Sequence, residues 1–282
     1  MTNYEQIIEP TRGWRVIDWR ALVHYRDLLY LMVRRDFVAK YKQTVLGPAW
    51  FIIQPLITTL MFTVVFGRIA KIPTDGIPGQ VFYLYNLLAW TYFSQSLPTI
   101  ATSLITNAGL FSKVYFPRLI VPLAALVSNL LAFGLQLVTF LGFYFYFKFA
   151  TPEGAGIHAN LTLLALPLLI LHTALISLGF GLWLAALTAK YRDFTHLMAF
   201  LVQLWMYATP VILPLRLVPE KLRLVFALNP MTAVVESFRY AFFSHATVNA
   251  GYLGLSVAIT LVVLISGLLV FSRVEKTFVD VV

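Results

Sequence analysis

Tyr85, Trp90, Tyr92 and Phe93, together with Gln203, Trp205 and Tyr207, bring aromatic rings and an amide into stretches that are otherwise apolar. Phe51, Gln54, Phe62 and Phe66 do the same nearer the start of the chain. Rings stack on the C–H faces of a sugar, and amides partner its hydroxyls, so this set suits a glycan passing between helices. Helix packing with amide hydrogen bonds accounts for the same residue types. Trp90, Gln203 and Trp205 fall nearer the middle of their stretches, where the usual interfacial belt of Trp and Tyr does not explain them.

Other chemistries are excluded by what is missing. The 282 residues contain no cysteine, hence no disulfide, thiolate nucleophile or cysteine-ligated metal. No Gly-Lys dipeptide occurs, so there is no phosphate-cradling G-x-x-x-x-G-K-[ST] loop, and neither G-x-G-x-x-G nor H-E-x-x-H is present. Inside the apolar stretches the ionisable residues are His172 and His196. A lone mid-span histidine is more often a packed, hydrogen-bonded residue than a proton carrier, and the absence of buried carboxylates argues against an ion-coupled carrier. An intramembrane enzyme would need clustered histidines or carboxylates at the same depth.

Charged chemistry gathers instead at the edges. From Tyr25 to Val45 the sequence predicts an amphipathic helix. Tyr25, Leu28, Leu29 and Met32 form one stripe and Phe37, Val38, Tyr41 and Val45 another. The change of phase near Arg34-Arg35 predicts two pieces or a bend, and Gly47-Pro48 ends the helix. Such a helix lies along a membrane surface. Two short charged connections follow, Leu110 to Arg118 and Lys190 to Asp193.

The elements that must carry these residues are membrane helices. Sixty percent of residues are hydrophobic, 12% are charged, and the mean hydropathy is +0.80. A bilayer core about 30 Å thick needs roughly 20 apolar residues per crossing. Six stretches qualify: Trp50–Gly67, Val81–Asn107, Leu119–Phe147, Leu161–Ala189, Phe194–Leu215 and Tyr252–Ser272. The N-terminus does not read as a cleaved signal peptide, so the first stretch is an uncleaved anchor. An even count places both termini on one side. With the termini inside, fourteen Lys and Arg lie inside and seven outside, Arg239 among the latter, as the positive-inside rule requires. The net charge of +9 then meets anionic lipid rather than nucleic acid. Between the fifth and sixth stretches, two short apolar pieces join at Asn229-Pro230. They predict either a re-entrant pair or a helix lying in the interface. The fold class is an all-α polytopic membrane protein.

In order and spacing, Arg35-Asp36-Phe37, Tyr41-Lys42, Leu46-Gly47-Pro48-Ala49-Trp50 and Gln54-Pro55 resemble the transmembrane subunit of ABC-type polysaccharide and polyol-phosphate exporters. So do the run from Leu110 to Arg118, Tyr191-Arg192-Asp193, Asn229-Pro230 and the tail from Glu275 to Asp280. The resemblance covers nearly the whole chain. It implies the ABC type-two architecture, with an N-terminal segment over 1–49, a six-helix domain over 50–272 and a tail over 273–282. It also implies a homodimer in the bacterial inner membrane, both termini cytoplasmic, joined by two copies of a separate ATPase that binds ATP and Mg. The cargo would be a lipid-linked glycan, and this chain would hold no cofactor. By the same resemblance, Arg34, Arg35, Asp36, Lys40, Tyr41, Lys113, Tyr115, Pro117, Arg118, Tyr191, Arg192 and Asp193 couple to the ATPase. The aromatics and amides of spans one, two and five line the channel, and Asn229, Pro230, Glu236 and Arg239 form an outer gate. Because arginine binds phosphate oxygens in bidentate fashion, Arg34, Arg35, Lys40 and Lys42 are also placed to meet a lipid diphosphate head. An ABC exporter of a smaller lipid or drug is the nearest alternative, and an ion-coupled secondary transporter a more distant one.

Overall fold

The computed structural model describes residues 19–74, 76–111, 113–152, 154, 160–212, 214–243 and 249–278, with side chains as far as Glu275. The segment before Trp19, Ser112 in the 110–118 connection and the tail beyond Phe278 lie outside the described residues. Among the described residues every regular element is helical.

Helices α1 (Trp19–His24) and α2 (Arg26–Ala39) part at Tyr25, not at Arg34-Arg35, through which α2 runs unbroken. The change of apolar phase marks a change of neighbour instead. Met32 and Val33 are buried in a cluster with Phe116, Ile120, Val121 and Ala124, whereas Phe37 stacks on Phe51 at 5.7 Å. Gly47 has φ of +53°, a left-handed conformation that glycine adopts without steric cost. Pro48 then opens the short turn into α3 (Trp50–Phe62), which widens to a π-helical stretch over Thr63–Ile69.

The second apolar stretch is not one helix. It divides into α4 (Gly79–Ala101), α5 (Ser103–Thr106) and α6 (Ala108–Phe111). Thr102 Oγ1 donates to the Pro98 carbonyl at 2.9 Å and Asn107 Nδ2 to the Ser103 carbonyl at 3.0 Å. Such side chains compete for carbonyls with the helix ladder. Helices α7 (Ile120–Ala150) and α8 (Leu166–Lys190), the latter entered through a turn at Leu161–Ala165, follow the expected stretches closely. Helix α9 (Asp193–Tyr207) stops well short of Leu215, because Pro210 and Pro214 cannot donate to a continuing helix. Helices α10 (Glu220–Leu228) and α11 (Pro230–Phe243) precede α12 (Ala250–Phe278).

Helix α8 sits between α12 and α4, α4 packs in turn on α7, and α2 lies against α7. Small residues allow the closest approach. A Cβ on Gly267 would stand 2.6 Å from the Gly179 carbonyl oxygen, and one on Gly179 would stand 2.9 Å from the Leu264 nitrogen, so α8 and α12 touch backbone to backbone. Among the described residues, four helical segments are long and apolar enough to cross a membrane: Gly47–Ile69, Ile120–Ala150, Leu161–Lys190 and Ala250–Glu275.

Candidate functional site: an anchored knob and a polar cavity

Between the end of α6 and the start of α7, residues 113–119 form a knob. Lys113, Val114 and Tyr115 are exposed, Tyr115 at 71%, while the next residue, Phe116, is buried at 4%. Three exposed residues followed by a buried phenylalanine give a projection with a fixed root. Tyr25 Oη donates to the Tyr115 carbonyl at 3.2 Å, tying the knob to the break between α1 and α2. Arg118 fixes the other side. Its backbone nitrogen donates to Glu275 Oε1 at 3.1 Å, its guanidinium donates to the Glu275 carbonyl, and it lies 5.4 Å from the Phe111 ring centre. These contacts tie the knob to the start of α2 and to α12. The Glu275 contact was not foreseen, because nothing local in the sequence pairs residues 157 positions apart.

Arg35 is committed to neighbours, pairing with Asp36 at 2.8 Å and donating to Asn107 Oδ1 at 2.9 Å. Tyr191, Arg192 and Asp193 are exposed at the same end, as Thr188 Oγ1 donating to the Ala101 carbonyl places the end of α8 beside that of α4.

A cavity of about 300 Å³ opens beside this platform, lined by Lys40, Tyr41, Gly47, Trp50, Phe51, Gln54, Gln95, Thr99, Asn129 and Gln136. The Lys40 ammonium donates to Asn129 Oδ1, whose amide nitrogen leans on Gln95 O and Thr99 Oγ1 at 3.4 and 3.5 Å. Burial of that ammonium lowers its pKa from the ordinary lysine value, and the nearby Asp36 carboxylate offsets part of the effect. Asn129 and Gln136 were missed in the sequence. Their signal was a spacing of seven, which puts two amides on one face of α7.

The expected channel residues divide. Phe51 and Gln54 face the cavity, and Gln203 and Tyr207 are exposed on α9. Phe62 and Phe66 lean on Tyr83. Tyr85, Trp90, Tyr92 and Phe93 are packing residues here, each under 5% exposed. Tyr85 Oη donates to the Val235 carbonyl. Half-buried Trp205 sits between the rings of Phe93 and Phe180, at 4.9 and 4.8 Å.

At the opposite end, Asn229 holds the corner between α10 and α11. Its Oδ1 accepts from Trp205 Nε1 at 2.9 Å and Met231 N at 3.0 Å. Its Nδ2 donates to Ala208 O at 2.9 Å and Thr209 Oγ1 at 2.8 Å. All four of its hydrogen-bonding positions are filled. Helix α11 is buried along nearly its whole length, which excludes a surface helix for this piece, while α10 stays largely exposed. Arg239, counted above as a loop charge, is 1% exposed. It donates to Glu236 Oε1 at 2.7 Å and to Asn86 Oδ1 and Pro210 O, both at 3.1 Å. A charge desolvated this far persists only with such partners, so Arg239 reports on packing and not on topology.

Residues 27–243 match the ABC-2 type transporter family. The O-antigen export system permease protein RfbA of Myxococcus xanthus is 29% identical over 264 residues, covering 93% of this chain and 97% of that protein. Two proteins of the same name from Klebsiella pneumoniae are each 24% identical, over 255 and 256 residues, covering 90% of this chain and 95% of theirs.

Proposed function

We propose a transport role for this chain, which belongs to the ABC-2 type transporter family: it is the permease subunit of an ABC exporter of an O-antigen-like polysaccharide. It is a multi-pass membrane protein, and in this reading it sits in the inner membrane with both termini cytoplasmic. The names of its relatives, matched over nearly their full length, support the cargo. One observation carries the mechanism: an exposed Lys113–Tyr115 knob rooted by buried Phe116 and braced to α2 and α12. A rigid projection of this kind suits a socket on a separate ATPase, and with no P-loop of its own the chain takes its driving force from there.

Six crossings follow from adding α4 and α9 to the four long apolar segments. At 1.5 Å per residue, the 23 residues of α4 span about 34 Å. Helix α9 spans about 22 Å, and the buried turn after it extends the path. Helices α10 and α11 then make the short outer-gate pair, α11 being buried in the bundle along nearly its whole length. Helices α3 and α9 leave Ile57, Leu60, Leu204 and Tyr207 exposed, which supports a channel closed by a second copy of this chain.

The test is co-expression with candidate ATPase subunits and purification of the complex. The expected result is a stable assembly of two permeases and two ATPases, whose hydrolysis responds to lipid-linked glycan. Tyr115→Asp should abolish co-purification while the permease itself stays folded. A complex unaffected by that substitution would remove the knob from the coupling mechanism.

A further inference from the structure

Resting on the exporter reading, we infer that the Lys40 cavity is the binding subsite for the phosphate–sugar junction of the lipid-linked cargo. Three independent properties of the cavity carry this.

The first is charge. Of Arg34, Arg35, Lys40 and Lys42, the cations nearest the start of α3, Lys40 is the one whose side chain donates to Asn129, 2% exposed on α7. Arg35 is engaged by Asp36 and Asn107, and Arg34 and Lys42 point to solvent. Among the described residues no carboxylate lines the cavity, and Asp36, one turn before Lys40 and within electrostatic reach of it, is paired with Arg35. An oxyanion entering there would meet the Lys40 ammonium at the edge of a partly enclosed polar space.

The second is unsatisfied hydrogen bonding. Among the described residues, the side-chain amides of Gln54, Gln95 and Gln136 make no hydrogen bond to protein, yet all three line the same space. Gln136 is 5% exposed, so its amide faces the cavity and little else. Gln136 is buried, Gln95 half-buried and Gln54 exposed, so their amides are open to a molecule that enters the space and supplies partners. Amides both donate and accept, as a sugar with several hydroxyls requires.

The third is shape and wall chemistry. Tyr41, Trp50 and Phe51 bring aromatic surface to one side, with Tyr41 and Phe51 packed edge to face at 6.1 Å. About 300 Å³ lies at the lower limit of ordinary small-molecule sites. One sugar ring with its phosphate is a cargo of that scale, whereas a long glycan could only pass through. A cation, amides from α3, α4 and α7, and aromatic rings in one lining match an anion joined to a sugar.

The experiment uses the intact permease–ATPase complex in nanodiscs and a fluorescent polyprenyl diphosphate carrying one N-acetylglucosamine as probe. The expected result is a loss of affinity of at least tenfold for Lys40→Met and about threefold to tenfold for Gln136→Leu, with partial recovery in Lys40→Arg. Inorganic diphosphate should compete weakly and phosphatidylglycerol should not compete at the same concentration. Unchanged binding in Lys40→Met, or displacement of the probe by phosphatidylglycerol as readily as by unlabelled probe, would overturn the inference, the second result making this an ordinary lipid headgroup site. Export of the glycan by the wild-type complex is measured alongside. Normal export with Lys40-independent binding sinks this inference alone, whereas absence of export by the wild-type complex sinks the exporter reading.

Discussion

Replacing Arg239 by methionine should be among the most damaging single changes available in this fold. The guanidinium is 1% exposed and donates to Glu236, Asn86 and the Pro210 carbonyl, so it joins α11 to α4 and to the turn after α9. Methionine fills much of the same volume but leaves Glu236 with only the Leu215 amide at 3.3 Å. Breaking a buried pair by removing one partner costs about 3–5 kcal/mol, because the remaining charge stays desolvated. For a chain of this size, each kcal/mol moves the melting temperature by about 2–4 °C, so a drop of roughly 6–20 °C is expected. Glu236→Gln added to Arg239→Met removes the stranded charge and should recover part of the loss. Thermal unfolding of the purified protein in one detergent, followed by tryptophan fluorescence, measures all four corners of that cycle. A single variant that melts with the wild type, or a double variant less stable than Arg239→Met, would refute the argument that pairing holds this end together.

Phe116→Ala should cost about 3–5 kcal/mol of local packing and release the knob. ATPase activity measured in the complex should then lose its response to cargo before the complex falls apart. Gly267→Leu should block the close approach of α8 and α12, where even a Cβ meets a carbonyl at 2.6 Å; the yield of monodisperse protein on gel filtration reads this directly. Lys40 supplies a pH prediction. Its folded-state pKa is depressed, chiefly by burial, so between that value and about 10.5 the unfolded chain binds more protons. Over that window rising pH should increase stability and decrease binding of the diphosphate probe, and Lys40→Met should flatten both curves.

Helices α7 and α8 were legible to within a few residues because their apolar runs are long, whereas α12 runs six residues past the expected end at Ser272. The end of α9 was written in Pro210 and Pro214 but masked by the apolar residues around them. The break at Thr102 depends on side chains capturing carbonyls, which composition does not reveal. Contacts distant in sequence were the least legible. The partners of Arg239 lie 153 positions away at Asn86 and 29 away at Pro210, and hydropathy could only count it as a loop charge. The cavity was half visible: Phe51 and Gln54 stood out on span one, whereas Asn129 and Gln136 needed the packing of α7 against α4 to gain meaning.

Energy source is the point on which the whole account turns. Vesicles holding the purified chain with its ATPase, loaded with lipid-linked polysaccharide on the ATPase side, should expose glycan to a glycosidase on the opposite side only when ATP is supplied. Glycan crossing at the same rate with this chain alone, driven by an imposed ion gradient and no nucleotide, would contradict it.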